Sequence, residues 1–535
     1  MGIARTTPPS HYVRHNRVTR VPRNFIYFDS EANREVHGRG EVQTFRVAVA
    51  VREQRRNDNH GWAERQTGVF RTAAELWAWI DAHTTTKART VCVAHNLAYD
   101  LRLTDGFAML VSLGWELTDV RLDRGGTFAK WRRDGRTLVC MDSFAWLPTS
   151  LDRIGEMVEI PKLKLPDWED TNDAWIERCT RDVDILATAG RRLVDWVRAD
   201  DLGNWRPTGA GQSWSTFRHR FMAHRLLAHD DVDARAAERR AAWTGRCEVW
   251  RHGRPTGGPF AEFDYSAAYA HVGAECDVPT RLTGTSTTAN REQVARLLER
   301  FAVLAEVTVT TDVPTLPARV DGKICWPVGT FTTTVWDTEL ALAIEHGATV
   351  KVERVWWYKR EPALREFCRW VLHVLGPSGA SFDPVIVAAV KHWSRALIGR
   401  FGARWSEWET IGRADRDGLG LSTVLDRVEG STWRMLQVGR TLKRQSVEHD
   451  SADAVVSIMS WVMAEARVRL WRLVELAGAE SVCYMDTDGL IVDREGAERL
   501  HAAHVPGLRQ KGAWSTVELL APRQIVLHGE LRAAG

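Results

Sequence analysis

Apolar segments of this chain run straight into carboxylates. Asn24-Phe-Ile-Tyr-Phe-Asp29-Ser-Glu31 and Phe260-Ala-Glu-Phe-Asp264 each read as a buried strand that ends on an acid. A carboxylate is costly to bury without a partner, so such strands force the fold to build a site where they end. In Asp29-Ser-Glu31 the acids stand two apart, and a strand turns such residues to one face. A further apolar run, Val91 to His95, leads into Asn96-Leu-Ala-Tyr99-Asp100. Asp182 lies in Thr180-Arg-Asp182-Val-Asp-Ile-Leu, on the long amphipathic stretch Asp173 to Arg198. Far downstream, Cys483-Tyr-Met-Asp486-Thr-Asp488-Gly489 puts two acids in a tight turn between apolar strands. A lone D-x-E is usually a solvated pair, and a lone D-T-D-G is usually an exposed hairpin turn. The ordered set, each acid beside an apolar strand or helix, carries more weight than any single fragment.

These acids fall into two groups along the chain. Asp29, Glu31, Asp100 and Asp182 form the first, and Asp264, Asp486 and Asp488 the second. Carboxylates gathered in this way hold two divalent ions about 3.5–4 Å apart, the arrangement that serves attack on a phosphodiester or an α-phosphate. Hard oxygen donors select Mg²⁺ or Mn²⁺, expected here at two ions per active site.

Strands followed by helices imply α/β layers in the first part and a mixed α+β second part, hence a multidomain fold. A basic stretch, residues 1–23, reads as a flexible tail able to rest on phosphates or stay solvated. Residues 24–205 form the first unit, with Thr127–Trp131 and Arg136–Met141 flanking the hairpin signal Asp134-Gly135. Residues 206–259, opening on a Gly- and Pro-bearing polar stretch and helix-rich to about Ala242, read as a linker. The second unit spans 260–535, with helices expected at Ala363–Leu375, Pro384–Arg400 and Ala452–Ala477 and an irregular insertion at 403–447.

The first group resembles the DEDD 3′–5′ exonuclease, an RNase H-like fold that proofreads in family B DNA polymerases. By that resemblance Asp29, Glu31, Asp100 and Asp182 bind metal, and Asn96, Tyr99, Ser143 and Phe144 grip the 3′ end of single-stranded DNA. Pro161-Lys-Leu-Lys164 falls where protein-primed members carry a catalytic lysine, which implies Lys164. Arg178 stands where the third exonuclease motif has a tyrosine, four residues before Asp182.

The second group resembles the family B polymerase motifs. Asp264-Tyr-Ser-Ala-Ala-Tyr269 is similar to motif A, and Tyr484-Met-Asp486-Thr-Asp488 to motif C. The resemblance makes Asp264 and Asp488 the principal metal ligands, with Asp486 beside them in the catalytic set and Tyr269 the steric gate. Lys391-His-Trp-Ser-Arg395-Ala-Leu-Ile398-Gly399 is similar to motif B, which gives Lys391, Arg395 and Ile398 to dNTP binding, although Arg395 and Ile398 replace the usual Asn and Tyr. Trp243-Thr-Gly245-Arg246 resembles the Y-x-G-G motif, and Leu520-Ala-Pro-Arg523-Gln-Ile525 the K-x-Y segment, which adds Trp243, Gly245, Arg246 and Arg523 as DNA contacts. The implied architecture is a right-hand polymerase following the exonuclease, with palm 260–355 and 448–535, fingers 356–402, and a reduced or absent thumb because the chain stops ten residues after Ile525.

The chain is similar to the compact protein-primed phage and plasmid branch, and resemblance runs from Phe25 to about Val526. The implied partners are primer-template DNA, single-stranded DNA, dNTPs and a terminal protein primer, with the insertion at 403–447 encircling DNA. The implied function is DNA-directed DNA synthesis with 3′–5′ proofreading. The changes in motif B keep a second reading open, a DNA-binding exonuclease with a weakened polymerase half. A non-catalytic DNA-binding scaffold is the third, and retention of every acid weighs against it.

Composition bounds the alternatives. A net charge of +3 is too small to argue nucleic-acid binding alone. No run of about 18 apolar residues marks a membrane span, and the N-terminal stretch lacks an apolar core of the secretory kind. Eight cysteines without a C-x-x-C pair read as reduced thiols, consistent with a cytoplasmic setting in a bacterial host. The 25 tryptophans are expected in core and interdomain packing.

Overall fold

The computed structural model describes residues 9–38, 40–56, 61–123, 126–376, 381–426, 431–446, 448–527 and 530–533. Its first unit is built on a seven-stranded mixed sheet. The spatial order is Gln66–Phe70, Gly40–Gln54, Asn24–His37, Thr90–Ala94, Arg136–Asp142, Gly126–Arg133 and Glu116–Asp123. Asn24–His37 is the pivotal strand. Its Phe25 and Tyr27 join the core under helix Asn172–Ala199, while Ile26 and Phe28 face Leu76 and Trp77 on the other side. Burial on both faces explains the unbroken apolar run, since neither side of the strand meets water.

Asn24–His37, Thr90–Ala94 and Arg136–Asp142 run parallel, with Tyr27 opposite Val93 and Ala94 opposite Asp142. Thr90–Ala94 and Arg136–Asp142 end level with Asp29, so His95 to Asp100 and Asp142 to Phe144 emerge beside it; the strand of Asp29 does not end on its acids as expected but runs on to His37. The register slips between Glu31 and Ala32, which re-aims the strand where the acids lie. The expected hairpin forms, with Asp134 and Gly135 both at positive φ (45° and 74°), as a twisted two-residue turn requires. Helix Asn172–Ala199 crosses close to the sheet at Gly190, where a Cβ would stand 2.5 Å from the Tyr27 hydroxyl.

The second unit centres on a five-stranded antiparallel sheet, ordered Cys247–Val249, Val482–Asp486, Gly489–Val492, Phe260–Tyr265 and Leu508–Trp514. Helix Val456–Ala477 supplies Leu470, Leu473, Val474 and Ala477 to the core of that sheet. A four-stranded sheet, ordered Val278–Ser286, Thr349–Glu361, Ala302–Thr311 and Gly329–Trp336, follows Phe260–Tyr265 in the chain and precedes the helix pair Arg365–Leu375 and Pro384–Phe401. Among the described residues, no helix is long and apolar enough to cross a membrane.

Tryptophans join the units. Trp196 of the long helix stacks on Trp393 at 5.1 Å between ring centroids and on Trp370 at 6.2 Å, both from the helix pair. Trp146 stands 5.7 Å from Trp393 and stacks 5.6 Å from Trp205. Large flat side chains bury much area for little lost rotamer freedom, which suits a seam between layers.

Three expectations change here. The basic N-terminal stretch is docked over its described residues: His11–Tyr12 pairs with Leu227–Ala228, and Ser10 Oγ donates to Asp230 Oδ1 at 2.5 Å. Further on, Trp205 N–H donates to the Arg20 carbonyl at 2.9 Å. The arginines hid this, because the anchoring comes from backbone and small polar groups. The expected linker is helix-rich as the sequence implies, with Gly209–Thr216 and Val232–Arg240, but its Cys247–Val249 is the edge strand of the second sheet. The expected irregular insertion is a long antiparallel ribbon, Trp408–Asp426 with Ser431–Gln445. Its Leu436 and Val438 pack on Phe107, Leu110 and Trp131 of the first unit. So few apolar positions conceal a strand from any reading of alternation.

Candidate active sites

The first site sits at the shared end of the parallel strands. Ligand oxygens of Asp29, Glu31 and Asp182 all lie within 4.8 Å of one another. Glu31, Asp100 and Asp182 are each at most 9% exposed. Ser30 donates to Asp100 Oδ1 through both its N–H (3.1 Å) and its hydroxyl (2.6 Å). Asp100 Oδ2 and Asp182 Oδ1 are buried with no hydrogen-bond partner. Burial raises the pKa of Asp29 well above the usual carboxylate range, and the charges of Asp100, Glu31 and Asp182 add to it. Burial likewise pushes Asp100 up to about 8, against the two Ser30 hydrogen bonds. Crowded, desolvated carboxylates with orphaned oxygens fit a divalent cation, which supplies the missing charge and partners.

Around this cluster the strand ends offer groups to a chain end. Asn96 is exposed with φ 65°, and its backbone N–H donates to Asp142 Oδ1 at 3.0 Å. The same carboxylate oxygen accepts from Phe144 N–H at 2.9 Å, which fixes the turn that carries Ser143 and Phe144. Ser143 is buried and its hydroxyl pairs with His95 Nδ1 at 2.8 Å. Tyr99 and Phe144 stay exposed at 36% and 40%, unusual for aromatics and suited to stacking.

The lysine at this site is not the one expected. Lys164 is exposed, whereas Lys162 Nζ lies 3.0 Å from Asp182 Oδ2. The two share one extended segment, and sequence alone could not say which would turn inward. Arg178, one helical turn before Asp182, pairs with Glu31 and stands 3.6 Å from Asp182 Oδ2.

The second site forms where Phe260–Tyr265 meets the acidic turn. Asp264 is opposite Gly489, and Tyr265 N–H donates to the Asp488 carbonyl at 2.7 Å. Thr487 takes φ 56°, and Asp488 N–H donates to the Asp486 carbonyl at 2.6 Å, a tight turn that projects the acids. Burial and the nearby Asp264 raise Asp488 to about 6. Asp486 is turned aside: its Oδ1 accepts from the Thr487 hydroxyl at 2.9 Å and its Oδ2 from Tyr484 at 3.4 Å. Tyr269 is half-buried, with its pKa raised by burial and by the charge of Asp488.

Lys511 is the residue that sequence reasoning missed. From strand Leu508–Trp514 its Nζ donates to Asp264 Oδ1 at 2.7 Å. The available signal was weak, a single lysine on a short strand after the acidic turn.

On helix Pro384–Phe401, Lys391 and Arg395 are exposed four residues apart, so they share a face. Ile398 is a correction. It is 3% exposed and packs in the main core, where it cannot meet a nucleotide. Trp243 and Arg246 are corrections too, at 6% and 4% exposed. Trp243 Nε1 donates to the Thr334 carbonyl at 3.0 Å, and Arg246 is held by Glu248 at 2.6 Å and by the Trp326 ring at 4.8 Å. They brace the second sheet from inside. Gly245 between them meets the acidic turn, since a Cβ there would lie 2.6 Å from Thr487 Oγ1. Arg523 is exposed at a turn with φ 65°, its Nε 3.9 Å from Asp486 Oδ2, while Ile525 is buried behind the sheet.

Comparison with known proteins agrees with this architecture. Residues 156–418 match the family model of DNA polymerase type B, organellar and viral. No curated protein sequence matches the chain. Among solved structures, Phi29 DNA polymerase complexed with primer-template DNA and incoming nucleotide substrates superposes with a TM-score of 0.64 at 13% identity, over 96% of this chain and 92% of that one. The orthorhombic crystal form of Phi29 DNA polymerase gives 0.63, also at 13% identity, over 96% of this chain and 90% of that one. The complex of that polymerase with single-stranded DNA gives 0.60, at the same identity and shares. Residues 156–418 thus match the family of type B DNA polymerases, organellar and viral, and the chain as a whole has the fold seen in Phi29 DNA polymerase.

Proposed function

We propose that the chain is a DNA-directed DNA polymerase that also degrades DNA from the 3′ end. The single observation carrying this reading is the pairing of two separate carboxylate centres, at Asp29–Asp182 and Asp264–Asp488, on one chain of this fold. At each centre, bound Mg²⁺ or Mn²⁺ would supply Lewis-acid activation of a nucleophile and neutralise charge on phosphate oxygens.

In the synthetic centre, Asp264 and Asp488 hold the metal, with Asp486 braced beside them by Thr487 and Tyr484. Lys511 keeps a positive charge against Asp264. Lys391 and Arg395, both exposed on one helix face, receive the triphosphate, Lys391 as a point charge and Arg395 as a planar fork. Tyr269 stands by Asp488 as the group that excludes a 2′-hydroxyl. In the degradative centre, Asp29, Glu31, Asp100 and Asp182 hold the metal. Asn96, Tyr99, Ser143 and Phe144 orient the single-stranded 3′ end, and Lys162 places its charge beside Asp182. Single-stranded DNA, primer-template DNA and dNTPs are therefore the ligands.

Initiation from the hydroxyl of a terminal protein is the finer reading. The four-stranded sheet between Asp264 and Lys391 supports it as the surface that would receive such a partner. Transfer of the first nucleotide to a protein hydroxyl, read as a radiolabelled protein band, tests it; labelling of DNA primers only would refute it. The reading as an exonuclease with a weakened polymerase half rests on Arg395 and Ile398. Because Ile398 is a core residue, only Arg395 still bears on nucleotide selection.

A further inference from the structure

Two cations stand within the first carboxylate cluster. The Arg178 guanidinium pairs with Glu31 and lies 3.6 Å from Asp182 Oδ2, the same oxygen that Lys162 Nζ meets at 3.0 Å. Neither side chain is casually placed. Arg178 is 12% exposed, and its Nε is buried without a partner. It shares the helix face of Asp182, so the helix delivers it to this point.

The cluster sets four carboxylates beside one guanidinium and one ammonium, and their positions divide. The cations cover Glu31 and Asp182 Oδ2. The oxygens left buried and unpartnered are Asp100 Oδ2 and Asp182 Oδ1, and Asp182 shares its oxygen cluster with Asp29.

We infer that the Asp29–Glu31–Asp100–Asp182 centre takes a single divalent cation, and that Arg178 is a tethered positive charge in the place of a second. This inference rests on the proposed exonuclease reading of that centre. Arg178 is a positioning residue: it fixes the Glu31 carboxylate and sets the metal count.

The test counts Mn²⁺ by loss of its free electron-paramagnetic-resonance signal. The full chain is used with Asp264→Asn and Asp488→Asn, so that the polymerase centre does not contribute. One equivalent is expected, rising to two on adding Arg178→Gln. Two equivalents before Arg178 is changed would overturn the inference and leave the exonuclease reading standing. One equivalent both before and after would also overturn it, because Arg178 would then occupy no metal position. Binding that is absent, or unchanged by Asp29→Asn, would remove the exonuclease reading itself. The first count needs no change at Arg178, so a poorly folding Arg178→Gln leaves it decisive. Near-ultraviolet circular dichroism monitors packing, and Arg178→Met repeats the second count.

Discussion

Lys511 Nζ lies 2.7 Å from Asp264 Oδ1, joining the last strand of the five-stranded sheet to the first acid of the synthetic centre. A half-exposed ammonium held on this carboxylate orients it and stands ready to meet a phosphate. Lys511→Ala should lower single-turnover dNTP incorporation by roughly 10²-fold, the scale of one lost electrostatic contact to reacting charge. Degradation of single-stranded DNA should be unaffected, because the first centre lies on another sheet.

Arg395 and Ile398 sit three apart on one helix but should respond oppositely. Ile398→Ala opens a cavity in the main core and should cost about 2–5 kcal/mol of stability, seen as a lower melting temperature. Arg395→Ala should leave the melting temperature unchanged and raise the dNTP KM roughly tenfold, the loss of one charge-assisted contact. Steady-state kinetics beside thermal melts separates the two.

Gly245 should be intolerant of a side chain. A Cβ there would press to 2.6 Å from Thr487 Oγ1 and 2.8 Å from its Cγ2, in the turn that carries Asp486 and Asp488. Gly245→Val should cut primer extension at least tenfold, by a shift of roughly an ångström in catalytic geometry. A primer-extension assay beside a single-strand degradation assay reads this, with degradation preserved.

The tryptophan seam predicts coupling between the units. Trp393 is fully buried against Trp196 and Trp146. Trp393→Ala should cost about 3–5 kcal/mol. In differential scanning calorimetry, one transition should broaden or split as the first sheet and the helix pair Arg365–Leu375 and Pro384–Phe401 lose their shared core.

What was legible in the sequence follows from how each residue is constrained. Asp29 and Asp264 were readable because an apolar run leads straight into each of them, although only Asp264 stands at a strand end and the strand of Asp29 runs on to His37. Asp134-Gly135 was readable because only such a pair accepts its backbone. Orientation was not readable. Lys162 and Lys164 differ only in which way one extended segment turns, and Trp243, Arg246 and Ile398 differ from exposed contacts only in what packs over them. The ribbon at 408–445 escaped because it rests on another unit through few side chains, such as Leu436 and Val438. Tertiary contact decided each of these, and local pattern carried no trace of it.

The central claim is that one chain both extends and shortens DNA through two separate centres. A labelled primer on a longer template, incubated with Mg²⁺ with and without dNTPs, tests it most directly. Extension with dNTPs and shortening without them are expected. Asp264→Ala should abolish only extension, and Asp29→Ala only shortening. A well-folded protein that neither incorporates dNTPs nor shortens the primer, or whose two activities are lost together by either substitution, would contradict the account.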